Sequence, residues 1–68
     1  MMYNYFVYVV ALHRFTRSHI VKGIFLNEAS AFHFKNTYCP TARIFCCYPS
    51  DLIFNDFGVE LRKGLSPM

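Results

Sequence analysis

The sequence predicts a small α+β protein, a two-layer ββαβ(β) domain in which one helix packs across a small antiparallel sheet. Three observations predict it. Segments rich in β-branched and aromatic residues alternate with a period of two, one segment has a helix N-cap and a terminating proline, and turn residues separate them. A chain of 68 residues is long enough for one domain only. We place that domain at residues 1–63 and expect residues 64–68 to fray.

The first predicted strand is Tyr3–Phe15, an alternating segment with apolar side chains on both of its faces. Its apolar run, Tyr5–Leu12, is much shorter than the roughly 20 residues that cross a bilayer, so neither a membrane span nor a signal peptide is predicted. One helix covers one face of a sheet only. The second apolar face therefore needs cover from the C-terminal segment, a second copy or a partner.

The second predicted strand is Ile20–Leu26, which follows a short polar connection at Arg14–His19. Gly23 lies in the interior of this strand, where a glycine has no side chain to pack. Its presence indicates a β-bulge or a close approach of another group to the backbone.

A helix of about three turns is predicted at Glu28–Tyr38. Asn27 precedes it as the N-cap, and Pro40 ends it because the residue before a proline is disfavoured in helical conformation. Its apolar stripe is narrow, and we expect that stripe to face the sheet. The stripe consists of Ala31, Phe34 and Tyr38, with Phe32 on one flank.

A third strand is predicted at Thr41–Tyr48, and Pro49 closes it. The next segment, Asp51–Lys63, allows two interpretations, a helix or a hairpin that turns at Asn55–Asp56. The hairpin is favoured because apolar and charged residues alternate in Gly58–Lys63 and because a glycine is unfavourable inside a helix.

The reactive side chains form no catalytic or metal-binding motif. Three cysteines, Cys39, Cys46 and Cys47, are an odd number without a predicted signal peptide, which favours reduced thiols and a cytoplasmic location. Together with His33 they could be offered as zinc ligands, but no C-x-x-C pair is present. No nucleophile with an identifiable base and no phosphate-binding loop is present either. The sequence predicts no enzymatic activity, no cofactor and no metal.

The positive charge is concentrated near the first hairpin. A formal net charge of +3 is too small by itself to indicate a nucleic-acid-binding protein. A basic hairpin with an aromatic residue can contact phosphates or an acidic protein groove, although an ordinary solvated hairpin end has the same composition. The residues that would form a nucleic-acid site are Arg14, Arg17, Lys22 and Arg43.

Aromatic residues are the most informative feature of the composition. Five tyrosines and eight phenylalanines make up 19% of the chain, more than one small core is expected to absorb. Tyrosine is common at protein interfaces because it offers a large rigid surface with a polar tip. A densely aromatic core is the alternative. We predict a protein-binding surface on the first hairpin, formed by Tyr3, Tyr5, Tyr8, Arg14, Arg17 and His19.

The order of hairpin, helix and return strand, with the turn Tyr38-x-Pro40-x-Ala42 after the helix, resembles a recurring type of very small phage-encoded accessory or inhibitor protein. The resemblance covers Tyr3–Tyr48. Several proteins of this host-takeover or anti-CRISPR type bind and block a host enzyme, including RNA polymerase or CRISPR effector complexes. The resemblance implies a phage or mobile-element protein whose partner is a host enzyme or effector complex. No functional residue carries over.

These observations lead to one main hypothesis and two alternatives. The main hypothesis is a non-enzymatic protein-binding factor that inhibits or modulates a larger host machine by occluding one of its surfaces. The first alternative is a small nucleic-acid-binding module that uses the basic hairpin and the aromatic face. The second is a chance reading frame without a selected function. Under any of them, the aromatic face could also form a homodimer.

Overall fold

The computed structural model describes residues 5–13, 19–56, 58–62 and 64–68, with the backbone alone at His13 and His19. The described elements are β1 (Val7–His13), β2 (His19–Phe25), α1 (Glu28–Tyr38), β3 (Arg43–Cys47), β4 (Leu52–Asn55) and β5 (Gly58–Leu61), with a 3₁₀ turn at Pro49–Asp51. The strands form one antiparallel sheet in the order β3-β1-β2-β5-β4. The described chain is therefore α+β, a curled antiparallel sheet with one helix.

The helix has the predicted bounds, whereas the strands are shorter than predicted. β1 begins at Val7, so Tyr5 and Phe6 precede the strand instead of forming its first residues. β3 is shorter at both ends than the predicted Thr41–Tyr48. The tail is a hairpin of β4 and β5, which is the interpretation that the alternation favoured over a helix. The predicted connection at residues 14–18 lies outside the described residues.

The helix starts and ends at the signals that the sequence contains. The side-chain oxygen Oδ1 of Asn27 accepts a hydrogen bond from the backbone N–H of Ser30 at 2.8 Å, so Asn27 is the N-cap. In the predicted apolar stripe, Ala31 is buried and Phe34 is half-buried, but Tyr38 is 70% exposed. The reason is that Tyr38 packs its ring against Phe34, at a centroid distance of 5.2 Å, and not into the sheet.

Strand β1 is buried on both faces and separates two apolar cores. The helix-side core lies under α1 and consists of Val10, Ala31, Ala42 and Ile44, with partly buried residues such as Tyr8, Phe25 and Phe34 packed against it. The tail-side core on the opposite face consists of Val7, Val9, Ala11, Phe45, Cys47 and Leu61, with Val21, Leu52 and Leu65 packed against it. The C-terminal segment therefore covers the second face of the sheet, one of the three possibilities that the sequence left open.

A β-bulge beside Gly23 lets β2 contribute to both cores. Val10 pairs with Gly23, but the next residue of β1, Ala11, pairs with Val21, so Lys22 is the extra residue. The alternation of faces shifts by one position at this point. As a result, Val21 packs against the tail-side core whereas Phe25 packs against the helix-side core. The predicted bulge or close approach at Gly23 is confirmed.

Gly23→Ala is expected to destabilise the protein by about 1–3 kcal/mol through overpacking. A Cβ at this position would lie 2.7 Å from Cε1 of Phe25 and 3.3 Å from Cε1 of Phe34. The two phenyl rings pack against each other at 5.2 Å, so neither can move away freely. Urea unfolding would show a lower midpoint at an unchanged slope. The neighbouring exposed change Lys22→Ala is the control, and equal midpoints for the two variants would contradict the close packing.

The last five residues make contacts in the structure. Leu65 packs against the tail-side core, and the backbone N–H of Met68 donates a hydrogen bond to the carbonyl of Ile44 at 2.7 Å. The sequence predicts fraying of residues 64–68 and a domain at residues 1–63. Fraying concerns motion, so it stays a prediction beside these two contacts.

Candidate functional site

Among the predicted protein-binding residues, the structure describes the side chains of Tyr5 and Tyr8 only. Tyr5 precedes β1 and is about half exposed. Tyr8 is half-buried against the helix-side core, where it pairs with Cys46 on one side and Phe25 on the other. Tyr8 therefore contributes to packing as well as to the surface. Tyr3, Arg14 and Arg17 lie outside the described residues, and His19 is described by its backbone alone.

A stacked aromatic pair lies where β1 begins and β3 ends. The register of these two strands pairs Val7 with Cys47, which brings the adjoining residues Phe6 and Tyr48 together. Their rings stack with centroids 4.6 Å apart and an interplanar angle of 27°. Phe6 is 50% exposed and Tyr48 is 44% exposed. We call Phe6 and Tyr48 the aromatic pair; it presents a preformed apolar surface to solvent.

Asp51 holds the backbone of the aromatic pair in place. Its carboxylate oxygen Oδ2 accepts a hydrogen bond from the backbone N–H of Tyr48 at 3.0 Å, and its own N–H donates to the carbonyl of Tyr48 at 2.9 Å. The other carboxylate oxygen, Oδ1, accepts from Nε of Arg62 at 3.0 Å. Because the turn after β3 is tied to the end of β5 in this way, Tyr48 has less conformational freedom to lose when a partner binds.

The sequence pattern contained a signal for this pair that was not used to select site residues. Phe6 alternates with Tyr8 and Val10, and Tyr48 alternates with Ile44 and Cys46. Both sets face the helix side of the sheet. Only the register of β1 against β3 brings their ends together, and that register is not readable from either segment alone.

Two cations of the predicted nucleic-acid site lie on the same sheet. Arg43 pairs with Ala11, and Lys22 is the bulge residue on the other side of Ala11. Both side chains are exposed. Their backbones are about 10 Å apart, since each interstrand spacing is about 4.8 Å. The other two residues of that site, Arg14 and Arg17, lie outside the described residues.

A groove of about 480 Å³ runs between the second half of the helix and β3. The residues that matter for its chemistry are Phe32, Lys35, Pro40, Arg43, Ile44 and Met68. Two of them are cations, and no acidic side chain lines the groove. The Nζ of Lys35 donates one hydrogen bond to the carbonyl of Pro40 at 3.0 Å, so its ammonium group retains two further donors. The groove is thus a basic site with an apolar wall.

The three cysteines are free, and Cys47 is buried. Burial is the main reason that the pKa of the Cys47 thiol rises to about 11, with smaller contributions from Asp51 and Cys46, while Arg62 acts in the opposite direction. At neutral pH this thiol is protonated, whereas a cysteine nucleophile or metal ligand requires the thiolate. Its position in the tail-side core is that of a packing residue.

Comparison with protein-family models, curated proteins and solved structures finds no match for this chain. In the part of the chain that the structure describes, no group of three or more histidine, cysteine, aspartate or glutamate residues could hold a metal ion. No helix among the described residues is long and apolar enough to cross a membrane. The function is therefore argued from the aromatic pair, the groove and the charges.

Proposed function

We propose that this chain is a non-enzymatic protein-binding factor whose binding surface is centred on the aromatic pair, Phe6 and Tyr48. The observation that carries the proposal is a stacked pair with both rings about half exposed, held by Asp51 at one end of the sheet. Aromatic residues with a rigid support dominate the binding energy of many interfaces. Tyr5, also about half exposed, adds to this surface from the segment before β1.

The proposed mode of action is occlusion of a surface on a larger protein. In this proposal the chain is a phage or mobile-element protein, and its partner is a host enzyme or effector complex that it inhibits or modulates. A small rigid domain suits this role because few degrees of freedom are lost on binding. The formal charge of +3 adds electrostatic steering toward an acidic surface.

The double variant Phe6→Ser/Tyr48→Ser is expected to bind the partner at least about tenfold more weakly than the natural chain, because it removes the apolar centre of the surface. The partner is captured from nuclease-treated bacterial lysate on the tagged chain, identified by mass spectrometry, purified and titrated. Phe54→Ser is the matched control, since Phe54 is 71% exposed and lies in β4, away from the aromatic pair. Its affinity should equal that of the natural chain.

Other outcomes of this experiment favour other functions. Unchanged affinity of the double variant would contradict the proposal. Loss of the captured material on nuclease treatment would favour the nucleic-acid-binding module, in which Lys22→Gln/Arg43→Gln should weaken binding and reduce its salt dependence. That alternative is supported by the two exposed cations on either side of Ala11. Recovery of the chain alone, with self-association in sedimentation equilibrium, would favour a homodimer.

A further inference from the structure

Strand β3 forms one edge of the sheet and has a free side. Its register with β1 covers Arg43 to Cys47, and the carbonyl of Ile44 accepts a hydrogen bond from Met68 on the side away from β1. Backbone groups of alternate residues in an antiparallel strand point to the same side. The N–H and C=O groups of Ile44 and Cys46 therefore point outward. Within the described residues, Met68 is the one backbone partner found along this side of β3.

The two ends of this edge differ in chemistry. At its start lies the basic groove with Lys35 and Arg43. Just past its end lies Tyr48, which stacks on Phe6. The span from Arg43 to Tyr48 is five residues, or about 17 Å of extended chain. A single added strand would therefore reach from the basic groove to the aromatic pair.

We propose that the free edge of β3 binds an extended acidic segment of the partner protein by strand addition, and that this segment displaces Met68 from Ile44. Backbone hydrogen bonds to Ile44 and Cys46 supply affinity. Acidic side chains bind Lys35 and Arg43 in the groove, and an apolar side chain packs on the aromatic pair. This proposal rests on the proposed function in its use of the aromatic pair.

Two observations favour this occupant over a second copy of the chain. The groove contains two cations without an acidic neighbour among its lining residues, so its charge complements an acidic segment. The β3 sequence, Arg43–Cys47, contains no acidic residue, so a second copy pairing through its own β3 would bring no negative charge to the groove. The contact of Met68 with Ile44 demonstrates that this edge accepts the backbone N–H of an extended segment.

The test uses the full chain and a synthetic peptide of about eight residues with alternating threonine and valine, a leucine near its N-terminus and two aspartates near its C-terminus. This order suits antiparallel addition to β3. Binding is followed by amide chemical shifts in a ¹⁵N-labelled sample. We expect shifts at Ile44, Cys46 and Met68, and faster hydrogen exchange at the Met68 amide. No shift at these amides with peptide up to about 1 mM would overturn the proposal.

Two matched controls separate strand addition from nonspecific attraction. A peptide that is N-methylated at alternate residues keeps its charge but loses the backbone donors, and it should bind at least tenfold more weakly. The variant Lys35→Gln/Arg43→Gln should bind the original peptide at least fivefold more weakly, whereas Lys22→Gln, a change of an exposed cation outside the groove, should not. Equal binding of the methylated peptide, or equal effects of the two charge changes, would overturn the proposal.

The same reagents distinguish this proposal from the proposed function. If Phe6→Ser/Tyr48→Ser abolishes partner binding but the peptide does not compete with the partner, the aromatic pair binds the partner and strand addition is wrong. If the peptide competes with the partner while Phe6→Ser/Tyr48→Ser retains full partner affinity, the edge of β3 is the site and the aromatic pair is not its centre.

Discussion

Phe45→Ala is expected to lower the free energy of unfolding by about 3–5 kcal/mol. Phe45 is 1% exposed and is among the largest fully buried side chains of the described residues. It pairs with Val9 on β1 and packs in the tail-side core. Truncating it removes apolar burial and leaves a cavity that the sheet cannot close easily. A small domain has only about 5 kcal/mol or somewhat more in total, so much of the variant should be unfolded at room temperature.

Circular dichroism during urea unfolding measures this effect, and Phe54→Ala is its control. Phe54 has the same side chain but is 71% exposed, so its truncation should change the free energy of unfolding by about 0.5 kcal/mol or less. Similar costs for the two variants would mean that the C-terminal segment does not enclose a core on this face. The comparison thus tests the cover of the second sheet face directly.

The second large effect is a loss of stability at alkaline pH caused by Cys47. Burial raises the pKa of this thiol from its ordinary value of 9.0 to about 11. Between these values the unfolded chain loses the thiol proton while the folded chain retains it. The folded state then binds more protons, so the free energy of unfolding falls as pH rises from about 9 to 11. At about 1.4 kcal/mol per pH unit, the loss is about 2–3 kcal/mol at pH 11.

The measurement is a series of urea unfolding curves for the natural chain and Cys47→Ala across pH 7 to about 11. Tyrosine and lysine side chains titrate in the same range, but they are common to both proteins. The difference in stability between the two should be constant up to about pH 9 and should then change in favour of Cys47→Ala. A difference that stays constant to pH 11 would mean that the Cys47 thiol ionises as readily in the folded chain as in the unfolded one.

The helix could be predicted from the sequence because its signals are local. Asn27 caps it, Pro40 ends it, and both act on the residues beside them. The bulge was predicted for a similar reason, since Gly23 is a local departure from an otherwise apolar strand. Features of this kind depend on the backbone preferences of a few consecutive residues. They survive whatever the rest of the chain does.

The candidate site could be predicted only in part because it depends on contacts between distant segments. The aromatic character of the N-terminal segment indicated a binding surface, but the stacking of Phe6 on Tyr48 follows from the register of β1 and β3. Tyr8 was assigned to the surface, whereas the structure packs much of it against the helix-side core. The free edge of β3 depends on the strand order. The last hairpin joins β2 and not β3, a choice that no local pattern specifies.

The last hairpin is attached to the sheet through a narrow connection. A single residue pair, Ile20 with Glu60, joins β2 to β5, whereas β1 pairs with its two neighbours over most of its length. Local opening at this connection breaks that pair and exposes Leu61, but it leaves β1, β2 and β3 joined. The protein therefore contains two cooperative units with unequal free energies of opening. Phe45 and Cys47 lie between them, so a sub-global opening reaches these two buried side chains before the whole chain unfolds.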